Sequence, residues 1–279
     1  MKRVASIQDI SGFGKCSLTV AIPIISAMGV EISVIPTAIL STHTGGFENY
    51  TYRDLTEDII PFVEHWESLE INFDALYTGF LGSVDQIEII SSVFTKLKGE
   101  NTLILVDPVM GDDGELYSSF TNDIVLEMKK LCTKADIIVP NITEALFLLG
   151  YEYREGPYEK SFIGKILLEL SDLGIGKIVI TGINFSSEEI GVAIFDKEKE
   201  SFDYVSTKKI EAQYPGTGDI FSSVLLGCLL NNIDLTTSCQ MAVDFVFDSI
   251  VKTKLQGKDP RYGVNFEKVL PNLVKELFF

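Results

Sequence analysis

The sequence is short of the residues that build cross-links, metal cages and basic surfaces. Its 279 residues include four cysteines, two histidines and one tryptophan, with 23 Lys plus Arg against 40 Asp plus Glu. Cys16, Cys132, Cys228 and Cys239 stand far apart and form no C-x-x-C pair. That argues against a disulfide framework or a structural zinc site and fits a reducing, cytoplasmic setting. A net charge of −17 argues against nucleic acid or an anionic membrane as partner, because both need basic patches. A small phosphate ligand is still allowed, since a metal ion and helix N-termini can supply local positive charge. No stretch supplies the roughly 18 apolar residues of a membrane span. The opening "MKRVASIQD" passes into a strand with no secretory-leader pattern. Length alone suggests about two domains. There is no Pro/Gly/Ser-rich linker, internal repeat or low-complexity segment, so residues 1–279 read as one domain.

What is present is alternation. Short β-branched runs at Val4–Gln8, Ile32–Thr37, Ala75–Thr78, Thr102–Val106, Ile137–Val139 and Lys177–Thr181 read as strands. Helical patterns cover Ser17–Met28, Val84–Leu97, Asn122–Leu131, Thr143–Leu149, Ser161–Leu173, Thr217–Leu230 and Leu235–Lys254. Gly191–Asp196 and Phe202–Ser206 flank the charged turn "KEKE" and read as a hairpin extending the sheet. The order predicts an α/β protein with a mostly parallel central sheet and helices on both faces.

The stretch "SGFGKCS" at 11–17 invites a nucleotide-binding reading. Aligned on Gly14-Lys15, a P-loop needs Gly at position 9 and Ser or Thr at 16, where this chain has Asp9 and Cys16. The P-loop is rejected. A strand end followed by two glycines and a helix remains a place where backbone can approach a ligand closely.

Four other segments carry chemistry. "PGTGDIFSS" starts a long apolar helix, and Gly216, Thr217 and Gly218 place unpaired N–H groups at its positive end. Asp219 beside them suits a general base taking a proton from a hydroxyl, against the plainer reading of a helix cap. "DPVMGDDG" places Asp107 at a strand end, from which Asp107 and Asp112 could reach a Mg²⁺–phosphate complex through water. Its glycine-flanked stretch suits a lid. "PNITE" offers Asn141 as an N-cap and Glu144 in the first helical turn, a pair explained either by capping or by nucleotide and metal binding. In "STHTGGF", Thr44 and the Gly45-Gly46 pair suit a loop over a small polar ligand; a single His such as His43 is more often structural than catalytic.

Together these segments resemble the pyridoxal kinases of the ribokinase-like superfamily, over almost the whole chain and in the same order. "SIQD", "STHTGG", "YTGFLGS", "DPVMGD", "PNITE" and "GTGD" carry the resemblance. "GTGD" is general to the superfamily, "DPVMG" is shared with hydroxymethylpyrimidine kinases, and "THTGG" with "GFLGS" points to pyridoxal kinase. The resemblance implies a ribokinase-like three-layer α/β/α fold. It also implies ATP-dependent phosphorylation of the 5′-hydroxymethyl group of pyridoxal, pyridoxine or pyridoxamine, with Mg²⁺, a monovalent cation and a homodimer. By it, Asp219 is the base and Gly216, Thr217 and Gly218 form the anion hole. Asp107, Asn141 and Glu144 contact ATP and its cation, and Asp112 helps Glu144 hold metal. Thr181 and Gly182 line the nucleotide, while Thr44 and Gly45 border the vitamer. Asp9 departs from the pattern: many pyridoxal kinases carry Ser there, contacting the ring. As a carboxylate it either faces the substrate or braces the Ser11–Ser17 turn. Hydroxymethylpyrimidine kinases often have Cys where this chain has Asp219, which makes hydroxymethylpyrimidine, or dual specificity, the second reading. A ribokinase-like sugar kinase comes third, since sugar sites want several Asn and Asp near the N-terminus and this chain offers few; a non-catalytic vitamin-binding protein is the reading from another class, weighed against by Asp219 beside its glycine cradle, since a carrier needs no base.

Overall fold

The computed structural model describes residues 1–279. In chain order it runs β1 (Arg3–Ser11), α1 (Leu18–Ala27), β2 (Glu31–Leu40), β3 (Tyr52–Asp54), α2 (Thr56–Ser68), β4 (Ala75–Thr78) and α3 (Val84–Leu97). It continues through β5 (Leu103–Val106), β6 (Gly111–Asp112), β7 (Glu115–Leu116), α4 (Asn122–Cys132), β8 (Ile137–Ile138), α5 (Ile142–Leu149), α6 (Lys160–Asp172) and β9 (Lys177–Ile183). β10 (Glu189–Asp196), β11 (Ser201–Lys208), α7 (Thr217–Leu230), α8 (Leu235–Lys254) and α9 (Leu270–Phe278) complete it, with 3-10 turns at Pro260–Tyr262 and Phe266–Lys268. The chain divides into two compact units: Met1–Thr56 with Ile210–Phe279, and Glu57–Lys209.

In the first unit β1 pairs with β2 in parallel, and β3 adds antiparallel to β2. β1 is buried along nearly its whole length, as a strand covered on both faces must be. Val4, Ala5 and Ile7 form its apolar part, but Ser6, Gln8, Asp9 and Ser11 are also buried. The β1–β2 register slips between Gln8 and Ile10, and such an irregularity redirects the side chain it contains, here Asp9. α7 is buried almost all round, which a helix apolar on every side requires. At Gly227 it passes so close to α1 that an added Cβ would meet the Met28 sulfur at 2.3 Å.

In the second unit the strand order is β11-β10-β9-β8-β5-β4. β4, β5, β8 and β9 are mutually parallel, so their carboxyl ends share one edge. β10 and β11 form the antiparallel hairpin expected from the "KEKE" turn. β6 and β7 make a two-stranded ribbon around Asp113 and Gly114. The expected α/β class and its mostly parallel strands are present. No helix is long and apolar enough to cross a membrane.

Candidate active site

In the first unit the loop after β1 and the N-terminus of α7 are joined through one residue. The Ser17 backbone N–H donates to Asp219 Oδ2 at 2.8 Å, and the Ser17 hydroxyl donates to Asp9 Oδ1 at 2.5 Å. Ser11 donates to the other Asp9 oxygen at 2.9 Å. Ser17 takes a left-handed φ of 51°, which is uncommon for a residue with a side chain. The two carboxylates supply its bonding. Asp9 is 4% exposed. Burial raises its pKa and the serine bonds oppose that rise. Next to Ser17 in the chain is Cys16, whose thiol is pushed well up by burial and then by the charges of Asp219 and Asp9. It is therefore a neutral thiol and a poor nucleophile.

Asp219 stands in the first turn of α7, whose N-cap is Gly216 in the left-handed conformation, φ 79°. A Cβ at Gly216 would lie 1.8 Å from the Lys15 carbonyl oxygen, so only glycine fits this approach. Thr217 and Gly218 then begin the helix where N–H groups have no intrahelical acceptor, an arrangement suited to an anion. The expected group Gly216, Thr217, Gly218 and Asp219 is thus together in one turn. Lys15 is engaged elsewhere. Its Nζ donates to Asn265 Oδ1 at 3.0 Å and Glu267 Oε2 at 2.7 Å, and lies 5.5 Å from the Phe266 ring centre.

After β2, on the same edge as Asp9, come His43, Thr44 and Gly45. Thr44 and Gly45 are exposed, whereas His43 is 4% exposed. Its Nδ1 accepts the Gly45 N–H at 3.1 Å, and its Nε2 lies 2.7 Å from the Arg261 carbonyl oxygen. Since a carbonyl only accepts, Nε2 carries the proton and the ring is neutral. From the residues alone His43 reads as more often structural than catalytic, and nothing there points to Arg261. An aromatic rim adjoins them: Phe13 packs edge-on against Tyr262 at 5.0 Å, and Phe47 edge-on against His43 at 4.9 Å.

The second unit gathers the remaining expected residues at its strand ends. Asn141 and Glu144 form a reciprocal capping box: Asn141 Oδ1 accepts the Glu144 N–H at 2.9 Å, and Glu144 Oε2 accepts the Asn141 N–H at 2.8 Å. Glu144 Oε1 accepts the Met110 N–H at 2.9 Å, and the Gly111 N–H also bonds to this carboxylate. The Asn141 amide donates to the Gly111 carbonyl at 2.8 Å, and the Gly114 N–H donates to Thr143 Oγ1 at 3.0 Å. The β6–β7 ribbon, which the sequence offered as a lid, is held by these bonds to α5. Asp107, 6% exposed, follows β5. Burial and then the Asp107 charge raise the pKa of Glu144 well above the usual carboxyl range. Asp112 is raised by partial burial and by neighbouring Asp113. Thr181 lies in β9, its N–H donating to the Pro140 carbonyl at 2.9 Å, and a Cβ at adjoining Gly182 would meet open space.

These oxygens fit a hard cation held partly through water. Two buried carboxylates close enough to interact carry a charge that a cation relieves, and the buried Thr78 hydroxyl at the end of β4 has no protein partner. No three acidic, His or Cys side chains converge into a cage.

Residues 22–263 match the family model described as phosphomethylpyrimidine kinase. The pyridoxal kinase of Dictyostelium discoideum is 30% identical over 268 residues, covering 90% of this chain and 86% of its own. Among solved structures, a candidate phosphomethylpyrimidine kinase from Bacteroides thetaiotaomicron, in a crystal form with pyridoxal, is 38% identical. It has a TM-score of 0.94 and covers 98% of this chain and 95% of that one. Pyridoxal kinase from Lactobacillus plantarum is 30% identical with a TM-score of 0.91, covering 99% and 98%, and it carries the three-layer α/β/α ribokinase-like fold over to this chain.

Proposed function

From the premise that the chain belongs to the phosphomethylpyrimidine kinase family, within the ribokinase-like superfamily, we propose that it is a pyridoxal kinase. It transfers the γ-phosphoryl group of ATP to the 5′-hydroxymethyl group of a B6 vitamer. We take 1–279 as one kinase domain, since the family match runs through both units. The observation that carries the reading is the Asp219 carboxylate, fixed by the Ser17 N–H beside the open first turn above Gly216.

In this reading Asp219 accepts the proton of the vitamer hydroxyl as its oxygen bonds to the γ-phosphorus and the bond to the β–γ bridging oxygen breaks, releasing ADP. The N–H groups of Thr217 and Gly218 hold charge on the transferring group. Mg²⁺, when bound, neutralises phosphate charge. Asp107 and Asp112 would hold it through water, with Glu144 fixing the Met110–Gly111 backbone beside them. Thr181 and Gly182 border the nucleotide, and Thr44 and Gly45 the vitamer. Four free cysteines fit the cytoplasm, and a homodimer is expected, which sedimentation would read.

Incubation with Mg-ATP and a panel of pyridoxal, pyridoxine, pyridoxamine and hydroxymethylpyrimidine tests the proposal. Phosphorylated vitamer is expected. Product from hydroxymethylpyrimidine alone would instead establish the second reading, which the family model's name favours. Binding of vitamers without any product would establish a carrier.

A further inference from the structure

His43 joins three separate segments of the first unit. From its own loop it accepts the Gly45 N–H; to the C-terminal turn it donates Nε2–H to the Arg261 carbonyl. From the "SGFGKCS" loop it receives a seat: a Cβ at Gly14, φ +89°, would lie 2.2 Å from the ring's Cδ2. The second glycine of that stretch makes room for this imidazole. The anchor at Arg261 is itself fixed. Its guanidinium contacts Asp259 at 2.6 and 3.1 Å, reaches the Gly46 carbonyl at 3.4 Å and lies 5.2 Å from the Phe47 ring centre. Thr44 and Gly45, the residues assigned to the vitamer, thus lie immediately beside the clamped position.

We propose that His43, as the neutral Nε2–H tautomer, is the positioning residue that holds the 41–47 loop in its vitamer-receiving form, with the Arg261 carbonyl as its anchor. The inference rests on the vitamer-kinase reading. Both ring nitrogens are spent on backbone groups, so His43 acts through the loop rather than on the substrate. The tautomer is obligatory. A proton added at Nδ1 would face the Gly45 N–H, donor against donor, and break that bond.

The charged group facing the ring is Asp9, from β1; the Arg261 carbonyl, Phe47 and the Gly14 backbone complete its surroundings. Burial lowers the His43 pKa below the ordinary 6.5, while the Arg261 bond and the Asp9 charge oppose the shift. The neutral form is therefore present at physiological pH, and the clamp releases only as pH falls below that ordinary value.

The test compares His43→Ala, His43→Gln and the parent over about pH 5 to 8. Gln can replace the donor to Arg261 but cannot titrate. Each protein is read for pyridoxal KM, ATP KM, kcat and amide exchange of residues 41–48. For His43→Ala we expect pyridoxal KM to rise about tenfold, from loss of both bonds, with ATP KM and kcat within about twofold of the parent and faster exchange in the loop. His43→Gln should recover most of the affinity and lose the acid-side rise in KM that the parent shows. Parent-like pyridoxal KM in His43→Ala, or the same acid-side rise in His43→Gln, overturns the assignment. A loss confined to kcat and melting temperature overturns it too, as would be seen for a merely structural histidine. No vitamer turnover by the parent overturns the kinase reading, and the role of His43 with it.

Discussion

Two carboxylates in first helical turns, Asp219 and Glu144, are used in opposite ways. Glu144 is 2% exposed, and three backbone N–H groups, of Met110, Gly111 and Asn141, bond to it. Among the bonds described above, Asp219 takes the Ser17 N–H at 2.8 Å, beside a helix start that no side chain caps. Glu144 is spent on fixing backbone. In the proposed reading Asp219 is placed where a hydroxyl and an anion can both be met. Two acidic residues that look alike in sequence, each just inside a helix, thus differ in what surrounds them, and on the proposed reading they separate into scaffold and chemistry.

The largest expected effect sharpens that contrast. Asp219→Asn should lower kcat by about 10²–10⁴-fold, the usual contribution of a general base. Asn can still accept the Ser17 N–H, so the melting temperature should move by no more than a few degrees. A kcat within about threefold of the parent would remove Asp219 as the base.

Glu144→Ala should show the reverse balance. It leaves buried N–H groups without an acceptor, each costing about 1–3 kcal/mol. The melting temperature should fall by roughly 5–15 °C, and ATP KM should rise because the Met110–Gly114 segment loosens. Pyridoxal KM should change little. Glu144→Gln keeps one acceptor oxygen and should recover part of the stability. Normal stability with weakened ATP binding would make Glu144 a direct ligand contact and erase the distinction from Asp219.

Asp9 tests whether a third carboxylate belongs with scaffold or chemistry. Both oxygens accept serine hydroxyls, which favours the bracing reading over ring recognition. Asp9→Ser should therefore lower the melting temperature and leave the pyridoxal-to-pyridoxamine activity ratio unchanged; a changed ratio would return Asp9 to the substrate. The pH dependence carries a sign. The folded-state pKa is raised above 3.8, mainly by burial. The folded protein thus binds more protons than the unfolded chain in the window from 3.8 to the raised value. Any stability this carboxyl contributes is fully present below 3.8 and is lost as pH rises through that window. Unfolding midpoints in denaturant should show that slope in the parent and a shallower one in Asp9→Asn.

Much of this was legible from residues because the periodicities are strong. β4 and α3 fall at Ala75–Thr78 and Val84–Leu97, as the alternation predicts. "GTGD" reads as a helix start because the Pro215-Gly216 turn leads straight into a long apolar run. Other elements carry weak signals. β3 is three exposed residues, Tyr52–Asp54, with no apolar face to reveal a strand. α2 contains Pro61 and buries only Ile59 and Val63, so its pattern was interrupted. The His43–Arg261 bond spans 218 positions and uses a backbone carbonyl, which no side-chain pattern encodes. Asp9 was readable as important, but its partners Ser11 and Ser17 are too common in loops to mark the network beforehand.

The smallest expected effect concerns Lys15, and it tests the rejected P-loop from the side of the lysine. A P-loop lysine touches the β- and γ-phosphates, so its loss is severe. Here Nζ contacts Glu267 at 2.7 Å and Asn265 at 3.0 Å, and the Glu267 side chain is 51% exposed. A half-exposed pair of this kind contributes roughly 0.2–1 kcal/mol. The part of Lys15 that matters to the site is its carbonyl, against which Gly216 packs, and alanine keeps it. Lys15→Ala should therefore leave kcat and ATP KM within about twofold of the parent and lower the melting temperature by roughly 1–3 °C. A collapse of turnover approaching that of Asp219→Asn would mean that the lysine leaves Glu267 to meet phosphate. The first glycine-rich loop would then join the catalytic turn of α7 as a second phosphate contact.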